Sequence, residues 1–138
     1  MSFVPKPVST FGRHALAAGT LPEPRSSLTS GPTDKREAYK RFAESFVPIY
    51  KELGAIGMTE CWGDDVPDGK VTSFPMAVKA EKNETVVLAW IVWPSKEVRD
   101  EGNKKMLEHP RFKDMDPSQM PFDGMRMILG GFEVLLEA

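Results

Sequence analysis

Glu60 is the residue best placed for chemistry. Over residues 55–62 it shares an alternating register with Ile56, Met58 and Trp62, so a strand there sets a carboxyl among apolar neighbours. Such surroundings disfavour the carboxylate, raise its pKa and suit a group that takes or gives a proton. The same pattern also describes a strand-end carboxylate paired with a nearby Lys or Arg. Trp62, Trp90 and Trp93 are able to line a cleft, because indole offers a large contact area with an N–H handle. Equally, they suit a core or a dimer interface.

Other reactive residue types carry less. Cys61 has no histidine or basic cluster beside it in sequence and reads as a small hydrophobe. His109 precedes Pro110 and reads as a capping or surface residue, while His14 sits in a Pro-rich leader. Asp64, Asp65 and Asp68 miss the spacing of a calcium loop, with Val66 at its third position and Pro75 at its twelfth. Gly130-Gly131 falls inside a strand, where a bulge or a close backbone approach explains it better than a phosphate loop. One cysteine and two histidines exclude an internal disulfide and a Cys/His zinc cluster. No metal site and no cofactor is expected.

The chain that must position these groups has 138 residues, 41% hydrophobic and 28% charged, with a net charge of −2. That suits one domain, offers no basic stripe to nucleic acid, and contains no apolar run of the roughly 18 residues that span a bilayer. A cytoplasmic protein is the expectation. Composition changes near residue 33: residues 1–33 hold five prolines, three glycines and a net charge of +2. Residues 1–32 are therefore expected to be largely irregular, with the domain over residues 33–138.

From Asp34 the signals become regular. Asp34 and Glu37 form a capping pair, and Ala38, Phe42, Phe46, Ile49, Tyr50 and Leu53 draw an apolar helical stripe, kinked at Pro48 and ended by Gly54. Strands follow over 55–62, 71–80 (an edge strand because of Pro75) and 85–93. Ser95 caps a second helix that runs to His109, and a last strand covers 125–136.

The strand at 85–93 is apolar on both sides: Val86, Leu88, Trp90 and Val92 on one, Val87, Ala89, Ile91 and Trp93 on the other. Two helices cover one face of an antiparallel sheet, so a second copy packed on the helix-free face is the expected partner. Shielding by the N-terminal segment is the alternative.

Residues from Thr33 to Glu137 resemble a bacterial family of uncharacterised proteins, domain of unknown function 1428. The resemblance rests on Glu60-Cys61-Trp62, Val66-Pro67-Asp68-Gly69-Lys70-Val71, Ala77-Val78-Lys79-Ala80, Pro94 to Asp100, Pro121-Phe122-Asp123-Gly124 and Gly130-Gly131-Phe132-Glu133. It implies an α+β fold of the dimeric α/β-barrel superfamily, a ferredoxin-like βαββαβ plait with two helices on one face of an antiparallel sheet. Relatives begin with an apolar strand, whereas Pro5 to Pro32 does not resemble one. The first strand is therefore atypical or missing, with Ser9–Ala18 as the segment able to fill its central slot. Two functions stand at this point: a homodimer binding an unknown small molecule, with a cofactor-independent enzyme included, or a non-catalytic interaction protein.

Overall fold

In the computed structural model, residues 21–138 are described. Glu84–Trp93 (β3) has apolar side chains on both faces and takes a central place in a four-stranded sheet. The other strands are Glu23–Pro32 (β1), Gly57–Trp62 (β2) and Ile128–Gly131 (β4), in the order β2-β3-β1-β4, every neighbouring pair antiparallel. Arg36–Glu44 (α1), Val47–Glu52 (α2) and Lys96–Glu108 (α4) pack on this sheet, with the short helices Phe74–Ala77 (α3) and Pro110–Lys113 (α5) between longer elements. The chain is thus α+β with a wholly antiparallel sheet.

The central slot corrects the sequence reading. It is filled by Glu-Pro-Arg-Ser-Ser-Leu-Thr-Ser-Gly-Pro, residues 23–32, which pair along their whole length with β3, from Glu23 against Trp93 to Pro32 against Glu84. The first strand is present, and residues 23–32 are not irregular. Ser9–Ala18 lies outside the described residues. A strand so poor in apolar residues forms because ladder hydrogen bonds come from the backbone, whatever the side chains, and β1 has a partner on each edge. The consequence is polar burial: Thr29 and Ser30 are each 1% exposed, and Thr29 Oγ1 has no hydrogen-bond partner among the described residues.

The segment 71–80 is not an edge strand. Ser73 accepts a hydrogen bond from the Met76 N–H at 3.1 Å and starts α3, with Pro75 in its first turn. Proline fits that position, since its missing N–H is unneeded there. Phe74 and Met76 stay exposed, and only Val78 is buried, against Leu28 and Val86. These three lie on the face of the sheet opposite the long helices, so the chain itself covers one end of that face.

Helix ends follow local chemistry in most places. The first helix breaks at Ser45–Phe46, and Pro48 falls in the first turn of α2, where it displaces no intrahelical donor. Asp34 makes no side-chain cap; it sits in a 3-10 turn, Thr33–Lys35, that precedes α1. Gly54 ends α2 with φ of 105°. Ser95 caps α4 through Val98 N–H at 3.2 Å, and His109 accepts from Arg111 N–H at 3.1 Å to start α5. The last strand stops at Gly131, with one more bond from Phe132 N–H to the Pro24 carbonyl. Past that point β1 offers no further ladder, and Leu135 and Leu136 are exposed.

On the helix side, Trp93 is fully buried against α4, where Gly102 leaves no room for a Cβ beside the indole. Arg99 crosses Gly131 to reach Glu23 at 3.5 Å and the Phe132 carbonyl at 3.4 Å, tying β1 and β4 to α4. This close approach accounts for Gly131, while a Cβ on Gly130 would crowd the Phe132 ring at 3.2 Å. Arg126 holds Glu84 through two bonds of 2.7 Å and bonds Asp123 at 3.0 Å, closing the far end of the sheet. These guanidinium contacts hold the Glu84 carboxyl below its usual range.

The orphan hydroxyl of Thr29 gives a direct stability test. Thr29→Val keeps the side-chain shape and removes a buried, unpaired oxygen. Urea unfolding is expected to show a gain of about 1–3 kcal/mol, the usual penalty of such a group. An unchanged or lower stability contradicts this account of β1.

Candidate functional site

The register places Met58, Glu60 and Trp62 of β2 beside Ile91, Ala89 and Val87 of β3, and these beside Arg25, Ser27 and Thr29 of β1. All nine belong to the sheet face covered by the helices. Opposite them stand Tyr39, Phe42, Ala43 and Phe46 from α1 and its end, Tyr50 from α2, and Asn103 and Met106 from α4. Between the two layers lies a cavity of about 320 Å3, closed at one side by Phe112, Met115, Met120, Phe122 and Met127. Its floor is lined by Arg25, Ser26 and Ser27, where a central strand ordinarily carries bulky side chains.

Glu60 lies between this cavity and a second cleft of about 400 Å3 formed with Arg36, Lys40, Val47 and Trp62. The side chain is exposed through these openings. On the main-cavity side it is surrounded by rings, methionine and aliphatic carbon, which withdraw the carboxylate from bulk water. That desolvation pushes its pKa up to about 7, against a weaker opposing effect from the Tyr39 hydroxyl, which donates to Oε2 at 3.3 Å. Burial also raises the pKa of Tyr39, and the nearby Glu60 charge adds to it. Tyr50 is likewise raised by burial; Arg25 opposes that shift and Glu60 reinforces it. Tyr50 thus senses a cation and a carboxyl in one cavity. A carboxyl that exchanges its proton near neutrality, held by a phenol, can act as general base or acid toward a ligand in reach.

Among the tryptophans, Trp62 stands beside this pair, packed edge-on against Tyr39 with centroids 5.9 Å apart. Trp90 borders the main cavity from β3, while its register partners Ser26 and Thr59 belong to the opposite sheet face. Trp93 does not line the cavity. It is packed in the core against Tyr50 and Gly102, with Nε1 unpaired. Cys61 pairs with Leu88 in the ladder and is half-buried on the face away from the cavity.

The sequence reading missed Tyr39, Tyr50, Asn103 and Arg25 as site residues. For Tyr39 a signal existed: positions 39, 42, 43 and 46 fit a helical stripe as well as one drawn through Ala38, and the structure buries Tyr39, Ala43 and Phe46. Arg25 carried none, because it fell in a segment expected to be irregular.

Comparison with known proteins agrees with the blocks noted in the sequence. Residues 27–124 match the family described as "Protein of unknown function (DUF1428)". The protein named "Uncharacterized protein YbaA" from Escherichia coli K12 is 58% identical over 106 residues, covering 77% of this chain and 90% of its own length. Its counterparts in Escherichia coli O157:H7 and Shigella flexneri show the same identity and coverage. The family match starts within β1, so Arg25 and Ser26 precede it, whereas Glu60, Trp62 and the helices of the cavity lie inside it. This chain therefore belongs to the DUF1428 family of proteins of unknown function.

Proposed function

We propose that this protein binds a small, largely apolar molecule in the cavity between sheet and helices, with Glu60 as the group that exchanges a proton with it. One observation carries the reading: an open cavity with apolar walls holds a carboxyl whose pKa is raised to about 7. Pockets of a few hundred cubic ångströms with few polar groups are the usual form of ligand sites. Perturbed carboxyls concentrate at functional sites. No resident cofactor enters the proposal, which leaves room for cofactor-independent proton transfer; a binding protein without catalysis is the second form.

The finer architecture belongs to the same proposal. Two βαβ-like halves sharing one antiparallel sheet in the order β2-β3-β1-β4 fit a ferredoxin-like plait. Leu88 and Ile128 are exposed on the helix-free face, beside half-buried Trp90 and Val92. A two-fold pairing of these faces covers the patch with its own copy, because an isologous interface is self-complementary. The working unit is then a cytoplasmic homodimer of the dimeric α/β-barrel type, with each protomer holding one cavity.

Three measurements test this. A thermal-shift panel of apolar metabolites with polar heads is expected to give at least one saturable shift, which Ser27→Leu removes by filling the cavity without lowering the melting temperature of the free protein. Silence across the panel, or shifts that survive Ser27→Leu, would count against the cavity. Glu60 also predicts a pH dependence. Its proton is held up to about pH 7 in the folded chain against a usual value of 4.5, so between these values the folded state binds more protons. Stability contributed by this group therefore falls as pH rises from about 4.5 to about 7. Glu60→Gln is expected to gain stability relative to the parent across that window, with the difference level above it; parallel urea curves at all pH values would remove the raised carboxyl. Finally, sedimentation equilibrium at micromolar concentration should find twice the chain mass of 15.4 kDa. A folded species at the single-chain mass overturns the dimer.

A further inference from the structure

The cavity holds two formally charged side chains among its described lining, Glu60 and Arg25. Arg25 is the unusual one. Arg99 and Arg126, the other arginines drawn into the protein around the sheet, are each paired with carboxylates at 2.7–3.5 Å. Arg25 is half-buried on the helix-covered face and has no ion pair and no side-chain hydrogen bond among the described residues. A second donor shares this condition: Asn103 Nδ2 is shut off from water and without a partner, on the lining of the same cavity.

The two donors stand at the same end. In the ladder Arg25 pairs with Gly131 and Ile91, two residues from the Glu23–Trp93 pair. Helix α4 crosses that corner, with Arg99 over Gly131 and Gly102 over Trp93, and Asn103 is one turn beyond Arg99. Glu60 lies two register positions away along β3 and one strand further across, opposite Ala89. A molecule in the cavity thus meets cationic and N–H donors at one end, methionine and phenylalanine walls between, and a carboxyl with its phenol at the other.

We propose that the ligand is an apolar monocarboxylate, its anionic head held by Arg25 with Asn103 and its body along the methionine-rich wall, so that its far end faces Glu60. This rests on the cavity being a binding site and names the class of molecule that fills it. Guanidinium is the group best suited to a carboxylate, since its forked N–H donors match two oxygens. A bound anion also satisfies two donors that a neutral apolar guest leaves unpaired, which is how a site rejects the wrong head group. Arg25 precedes the span matched by the family, so the anion preference is a property of this chain and not one carried by that match.

The test compares head groups on the same body. Octanoate and 4-phenylbutyrate are titrated calorimetrically against octanamide and 4-phenylbutanamide at about pH 6, where the free acids are ionised. The acids are expected to bind at least about tenfold more tightly than the amides, the range of a charge-assisted hydrogen bond. Arg25→Met should abolish that preference, bringing the acid-to-amide ratio to about one, and Arg25→Lys should keep part of it. If Arg25→Met does not fold, Arg25→Gln serves, judged by the same acid-to-amide ratio. Equal affinity for acid and amide, or a preference that survives loss of the guanidinium, overturns the anion assignment. Where acid and amide bind equally and both are lost in Ser27→Leu, the cavity reading stands and this inference falls. Binding of no probe to the parent protein sinks both.

Discussion

The structure depends on the backbone ladder of β1. This strand sits between β3 and β4, and without it the sheet separates into two unpaired edges. Its ten residues contain one large aliphatic side chain, Leu28, and otherwise Ser, Thr, Gly, Pro, Glu and Arg. Hydrogen bonding between main chains is indifferent to that composition, so the ladder closes. Side-chain packing is not indifferent. Where Leu28 points, it meets Val78 and Val86 and a small core forms. On the other face Ser27 leaves volume that a larger residue would occupy, and the helices span that volume without collapsing into it.

That division explains why the cavity and the polar burial in β1 share one cause. The helices are held off the sheet by contacts outside β1: Tyr39 and Ala43 on Val87, with Met58, Trp62 and Phe122 around them, and Trp93 locked against Gly102. Arg99 and Arg126 fasten the two ends of the sheet. With the frame set by these anchors, small side chains on β1 become empty space and not closer packing, because a packed interior relaxes only partly around missing volume. Filling the space favours stability and removes room for a ligand.

Much of this was legible in the chain. Periodicity located β2, β3 and α4, and cap chemistry that acts locally marked the start of α4 at Ser95 and the end of α2 at Gly54. Glu60 stood out because alternation alone sets a carboxyl among apolar neighbours. What was not legible is non-local. β1 becomes a strand because two strands distant in sequence offer it partners, against its own composition. The segment at 71–80 alternates like a strand, yet Ser73 and Pro75 at a helix start decide it. Arg25, Tyr50 and Asn103 come from three elements far apart in sequence, so no spacing could group them.

The raised carboxyl and the unpaired guanidinium also need explaining together. Had they been adjacent, they would form an ion pair, and Arg25 would hold the Glu60 carboxylate ionised. The ladder keeps them apart, with β3 between their strands and two residues of register, and Tyr50 feels both charges. Desolvation then dominates at Glu60, which keeps its proton near neutrality. Their separation is what preserves two different chemistries in one cavity. An anion proposed at Arg25 would add negative charge to the cavity and favour the protonated Glu60 carboxyl further. On that proposal, ligand capture and proton retention are coupled through the field across the cavity.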